Sequence, residues 1–327
     1  MRIVINGFGR IGRTVLRQVL ALPASEAIEV VRINDIAPLE TCSYLFKYDS
    51  VFGPWPGEVS ADETSLTIDG QRIPFSAEAD LSQLDLGNVD VVMECTGRAD
   101  TREVAERGLK AGARNVLISG PSKAADITLV LGANEENLGD FRIVSNGSCT
   151  TNALAPLLRG LDDAIGIQSG HMTTIHCYTG SQPMVDAPRG PLERSRAGGV
   201  SMVPTTTSAT KLVGTVLPQL AGKVSGAAVR VPTISVSAVD LTVTLAEPVE
   251  APFNNRLLEI FKDSPVIGFV RDRVVSTDMR TRPESLVLHL PETLEANARQ
   301  VRLFGWYDNE WGFSARMIDM ARLMAAR

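Results

Sequence analysis

The chain has 327 residues, 44% hydrophobic and 21% charged, with a formal net charge of −6 and a pI near 5.3. That balance excludes a mostly disordered chain and a protein built for non-specific binding to nucleic acid or anionic membranes, while the length accommodates two domains with sizeable cores. No run approaches the length of a membrane span or a signal peptide, so a cytoplasmic protein without a membrane partner is expected.

The first residues, Arg2 to Asn6, read as an apolar strand. Gly7-Phe8-Gly9-Arg10-Ile11-Gly12 follows, and then Val15, Leu16, Val19 and Leu20 recur at helical spacing. In this strand, turn and helix the G-x-G-x-x-G spacing has a physical reading. Glycine at Gly7 permits a tight turn, at Gly9 a close approach of backbone to a pyrophosphate, and at Gly12 close helix packing. A second strand, Ile28 to Asn34, ends in Asp35, placed to receive a ribose hydroxyl and to repel a 2′-phosphate, so NAD is expected over NADP.

Strands at 89–94, 115–118 and 127–130, with a helix over 101–111, continue the alternation of a Rossmann-type doubly wound α/β sheet. Thr96-Gly97 and Ser119-Gly120 end two of these strands on the side where a cofactor cleft belongs.

Phe141 to Val144 reads as a strand, Asn146-Gly147-Ser148 as a turn, and Leu154, Leu157, Leu158 and Leu161 as the face of a helix. Cys149 therefore stands in the first turn of that helix, where unpaired N–H groups and the helix dipole favour a thiolate nucleophile. The other cysteines, Cys42, Cys95 and Cys177, form no C-x-x-C pair with it or with each other, so neither a zinc site nor a redox dithiol is indicated and no metal is expected. Of only three histidines, His171 and His176 lie five apart on a predicted strand, so they point to opposite faces.

Branched runs at 172–178, 227–232 and 235–246 predict an α+β second domain with a large mixed or antiparallel sheet. Residues 179–203 predict an ordered irregular loop, and Phe313, Met317, Met320 and Met324 a terminal helix. The expected division is 1–148 for the cofactor, 149–308 for the chemistry, and 309–327 packing back on the cofactor domain.

Six blocks, in order, carry a resemblance: Asn6 to Arg13, Leu45-Phe46-Lys47-Tyr48-Asp49-Ser50, Ser148 to Asn152, Thr173-Thr174-Ile175-His176, Arg230-Val231-Pro232-Thr233 and Trp306-Tyr307-Asp308-Asn309-Glu310. Through them the chain resembles phosphorylating glyceraldehyde-3-phosphate dehydrogenases over essentially its full length. The resemblance implies Cys149 as nucleophile and His176 as its base, with a hemithioacetal, then a thioester, then an acyl phosphate. It implies NAD contacts from Arg10, Ile11, Asp35, Thr96 and Ser119, with Asn309 orienting the nicotinamide carboxamide. Thr179 and Arg230 would hold the substrate's phosphate, and Ser148, Thr150, Arg194 and Thr207 inorganic phosphate. A homotetramer is implied, with the 179–203 loop near a neighbouring subunit.

Three positions depart from the family's pattern. Ser181 stands where many members have an acid, Ser208 replaces a frequent glycine beside the inorganic-phosphate site, and Ala187 is reminiscent of members that accept NADP. They imply altered handling of phosphate or its analogue arsenate and weak NADP use beside NAD. The rival readings are a sibling erythrose-4-phosphate dehydrogenase and a non-catalytic NAD-binding redox sensor; the intact set Cys149, His176, Arg230 and Asn309 weighs against the sensor.

Overall fold

Apolar residues in succession make Arg2–Asn6 a strand buried on both faces, and the computed structural model, which describes residues 1–26, 28–250 and 252–327, shows Ile3, Val4 and Ile5 without exposure. Helix Arg10–Leu20 follows, with Val15 and Leu16 equally buried. The first strand pairs in parallel with Glu29–Asn34 on one side and Val91–Glu94 on the other, so chain order reverses at the strand that carries the glycine turn. Such a reversal opens a crevice at the carboxyl ends of the strands.

Parallel neighbours Gln71–Ser76, Asn115–Ile118, Ile143–Ser145 and Ile127–Thr128 extend the sheet. Antiparallel Ser65–Ile68 and Val59–Ala61 bring it to nine strands. The expected helix over 101–111 is two short pieces, Arg102–Ala105 and Arg107–Lys110. These elements belong to a compact unit of Met1–Leu129, Glu136–Gly147 and Ser314–Arg327. Within it the terminal segment is fastened by Asn115 Nδ2, which donates to the Met324 carbonyl at 3.4 Å, and by Arg327, which donates to Asn115 Oδ1 at 3.0 Å.

The second unit comprises Val130–Glu135 and Ser148–Phe313. Helix Cys149–Ile165 runs through its core, with Leu154, Leu157, Leu158 and Leu161 fully buried, each worth about 1.5–3 kcal/mol of burial. The eight-stranded sheet is mixed. Ile167–Cys177 lies parallel to Val224–Val231 and antiparallel to Ser237–Leu245, which pairs antiparallel with Gln300–Tyr307. This register sets His176 beside Arg230 and Ser237 beside Tyr307. Helices Ala209–Val216 and Phe253–Phe261, absent from the sequence reading, complete the unit together with the terminal helix Trp311–Ala325, whose first three residues it includes. Among the described residues no helix is long and apolar enough to cross a membrane.

Candidate active site

The glycine turn is built as its spacing demands. Gly7 has φ +92°, and a Cβ there would stand 2.6 Å from the Thr96 nitrogen, so only glycine fits. A Cβ on Gly12 would lie 2.2 Å from the Gly7 carbonyl oxygen, which is how closely the helix packs on the turn. Beside Gly9 there is open space within 4 Å, and this N-cap gives the first helical turn no side-chain cap. An uncapped helix start next to open space suits a pyrophosphate.

Asp35 accepts from the Phe8 N–H at 2.5 Å and the Ala37 N–H at 2.8 Å, which fixes its carboxylate beside the turn with lone pairs to spare for ribose hydroxyls. A cleft of about 310 Å³ is lined here by Gly7, Gly9, Asp35, Ile36, Glu94 and Thr96. These residues fit a dinucleotide.

The same unit shows what the Leu45–Ser50 block does. Asp49 accepts from the Val51 and Phe52 N–H groups at 2.8 and 2.9 Å and pairs with the Arg10 guanidinium, which also lies 5.3 Å from the centre of the Phe52 ring. Arg10 is thereby held at the helix start, next to the half-buried Ile11. Thr96 donates through its N–H and its hydroxyl to Glu94 Oε1, and the Ser119 N–H donates to the Glu94 carbonyl at 2.9 Å.

Three residues escaped sequence reasoning: Asn6 Nδ2 donates to Glu94 Oε2, and Asn34 Nδ2 donates to Asn6 Oδ1 at 2.8 Å, a buried network beneath the turn. Their signal was available, since each is the polar last residue of an otherwise largely apolar strand, at the end where ligands bind.

In the second unit the helix begins at Cys149 because Ser148 caps it, its Oγ accepting from the Thr151 N–H at 3.1 Å. Cys149 Sγ lies 3.6 Å from His176 Nε2. The other ring nitrogen, Nδ1, donates to the Cys177 carbonyl at 2.7 Å, and Arg230 donates to the same oxygen at 2.9 Å. A carbonyl has lone pairs for both donors, so the 2.8 Å approach of Arg230 to Nδ1 follows from their shared acceptor, and Nε2 keeps its lone pair toward the sulfur. His171, by contrast, is exposed and bonded to Ser225, as the alternation predicts.

Electrostatics assign the proton. Burial, then the charges of Arg230 and Arg194, push His176 down to about 4 against the bond to the Cys177 carbonyl, so the imidazole is neutral near pH 7. Burial also raises the Cys149 thiol above its ordinary value, although Thr150 and the Arg230 charge pull it down. Burial at this site thus opposes the thiolate that the helix start and the Arg230 charge favour.

Around this pair Tyr307 is fully buried, its hydroxyl bonded to Thr150 Oγ1 and Thr174 Oγ1, both at 2.8 Å, and its ring edge-on to His176. Arg194 donates to Thr205 Oγ1 at 3.0 Å and to the Thr206 carbonyl at 3.2 Å, which gathers it with the exposed Ser208 and with Thr207, whose hydroxyl accepts from the Ala209 N–H. Thr179 bonds Ser181 through their hydroxyls at 2.9 Å. The hydroxyls of Ser148, Thr150 and Thr207 already have protein partners, so an anion there would rely on the guanidinium groups and on remaining lone pairs and donors. Asn309 is buried in the same unit as Cys149, and its Oδ1 accepts from the Cys177 thiol at 3.2 Å. Among the described residues no cluster of His, Cys, Asp or Glu is arranged to hold a metal ion.

A doubly wound nucleotide-binding sheet and a half-buried thiol against a buried imidazole, flanked by arginine, are the features of an NAD-dependent oxidoreductase of the cysteine-nucleophile class. Residues 1–102 match the family model described as glyceraldehyde 3-phosphate dehydrogenase, NAD binding domain, and residues 148–309 the one described as its C-terminal domain. The chain belongs to the glyceraldehyde-3-phosphate dehydrogenase family. It is 48% identical to the glyceraldehyde-3-phosphate dehydrogenase of Pseudomonas aeruginosa over 100% of this chain and 98% of that one. It is 44% identical to that of Xanthobacter flavus (99% and 98% covered) and 41% identical to that of Geobacillus stearothermophilus (100% and 99%).

Proposed function

We propose that the protein oxidises glyceraldehyde 3-phosphate with NAD and inorganic phosphate to 1,3-bisphosphoglycerate, through covalent catalysis by Cys149. The observation that carries this reading is the neutral Nε2 of His176 at 3.6 Å from the Cys149 sulfur. His176 takes the thiol proton as the sulfur attacks the aldehyde carbon, and the backbone N–H groups of Cys149 and Thr150, which lie at the sulfur, receive the developing oxyanion. Bound NAD would supply the acceptor for the hydride that this adduct must lose for Cys149 to carry the acyl group as a thioester. Arg230 and Thr179 hold the phosphate the substrate brings, while Arg194, Thr207 and Ser208, with Ser148 and Thr150, receive the inorganic phosphate that releases the acyl group. Gly7, Gly9, Gly12, Arg10, Ile11, Asp35, Thr96 and Ser119 hold NAD, and Asn309 binds its carboxamide.

In this reading residues 1–148 serve the cofactor and 149–308 the chemistry, with 309–327 returning to the cofactor domain. The protein is cytoplasmic and homotetrameric; the apolar Met184, Val185, Leu192, Val200 and Met202 of the 179–203 loop, each more than 70% exposed, support a neighbouring subunit there. NADH formation by the purified protein with glyceraldehyde 3-phosphate and NAD, compared with phosphate, arsenate and neither, tests the proposal. Sustained turnover that needs an anion is expected; turnover that an anion does not accelerate would overturn it.

A further inference from the structure

Cys177 is joined to the site at both its ends. Its carbonyl holds the His176 ring and Arg230, as described above. Its side chain, fully buried, donates from Sγ to Asn309 Oδ1 at 3.2 Å. Ser237 Oγ reaches the same oxygen at 3.4 Å and accepts from the Cys177 N–H at 3.2 Å. Burial pushes the Cys177 thiol up to about 12, so it keeps its proton and remains a donor. Two donors on one oxygen decide which way the Asn309 amide faces, since an Nδ2 in that place would meet donors with a donor. Asn309 Nδ2 makes no hydrogen bond among the described residues.

A second observation falls on the same spot: Val236, buried and β-branched, has φ +67°. Such a strained conformation persists only where surrounding structure demands it. Here it immediately precedes the residue whose hydroxyl reaches Asn309.

We propose that Cys177 and Ser237 are positioning residues that lock the Asn309 amide with Nδ2 as its free donor, so that it recognises the carbonyl oxygen of the nicotinamide carboxamide and not its amino group. The inference rests on the reading that Asn309 contacts the nicotinamide.

Dissociation constants for NAD, for ADP-ribose, which lacks the nicotinamide, and for 3-acetylpyridine adenine dinucleotide, which keeps the carbonyl but has no amino group, test it. Cys177→Ala and Ser237→Ala should each weaken NAD and the acetylpyridine analogue by about three- to tenfold and leave ADP-ribose unchanged; Cys177→Ser, which keeps a donor, should restore NAD binding. Unchanged ADP-ribose binding also verifies that the variants fold. If Asn309→Ala weakens NAD relative to ADP-ribose but neither alanine variant does, the positioning role is overturned. If the variants weaken NAD but not the acetylpyridine analogue, recognition of the carbonyl is overturned. If Asn309→Ala itself leaves the ratio of NAD to ADP-ribose affinity unchanged, the underlying reading of Asn309 fails and the inference with it.

Discussion

Two glycines three residues apart should respond differently to the same added methyl group. At Gly9 an alanine Cβ meets nothing within 4 Å and the backbone is already extended, φ −72° and ψ −159°, so Gly9→Ala should change folding stability by less than about 0.5 kcal/mol. At Gly12 the Cβ falls 2.2 Å from the Gly7 oxygen and 3.0 Å from Ile5 Cγ2, against an ordinary contact that begins at 3.4 Å. The helix must back off by about 1.2 Å, because Gly7 is itself pressed against Thr96, and overpacking of this kind costs about 1–3 kcal/mol. Yet both variants should lose NAD. Gly9→Ala fills the space the pyrophosphate needs, and Gly12→Ala carries the helix N–H groups away from it; losing one charged hydrogen bond raises Kd by about ten- to a hundredfold. Calorimetric titration with NAD and ADP-ribose, beside urea unfolding, separates the cases. Both ligands should weaken equally, unlike the nicotinamide-specific loss expected for Cys177→Ala. Gly9→Ala protein that binds NAD like the wild type would refute the placement of the pyrophosphate.

Arg230→Met should move two titrations upward together. The guanidinium charge disfavours imidazolium and favours thiolate, so its removal raises the His176 midpoint from about 4 toward the ordinary 6.5 and raises the Cys149 midpoint further above normal. NMR titration of the three histidines and the pH dependence of iodoacetamide alkylation check both, and a fall in either would contradict the assignment. Because the folded chain holds His176 below its unfolded value, the unfolded chain binds the extra proton between pH 6.5 and about 4, and this residue's contribution makes stability fall as pH drops through that window. Tyr307→Phe removes two buried hydroxyl bonds and should lower stability by about 1–3 kcal/mol; in a cycle with Thr150→Val the coupling should be about 1 kcal/mol, whereas strict additivity would show the hydroxyls to be energetically independent.

Local signals carried much of the molecule. The glycine turn, the acid at Asp35 and the cysteine at a capped helix start are each written within a few consecutive residues, and the second sheet announced itself through long branched runs. Short, partly exposed elements were harder. Strands Val59–Ala61, Ser65–Ile68 and Gln71–Ser76 have no long apolar run, although Asp69-Gly70, both at positive φ between paired strands, is a hairpin signal that the residues display. Helix Leu39–Lys47 buries only Cys42 and Phe46, too little to stand out as a periodic face. What sequence reasoning could not supply were contacts made across long separations: Asn6 with Glu94, Cys177 with Asn309, Thr150 with Tyr307. Nor could it weigh burial against the helix terminus at Cys149, because desolvation depends on residues brought there by the fold.

The central claim is that the acyl group is carried on Cys149. The direct measurement mixes enzyme, NAD and glyceraldehyde 3-phosphate without phosphate, follows NADH in the first turnover, and quenches in acid for peptide mass analysis. A burst of about one NADH per site, a 3-phosphoglyceroyl group on the Cys149 peptide, and its discharge when phosphate is added are expected. A burst with the acyl group on another residue, or Cys149→Ala protein that turns over like the wild type, would contradict it.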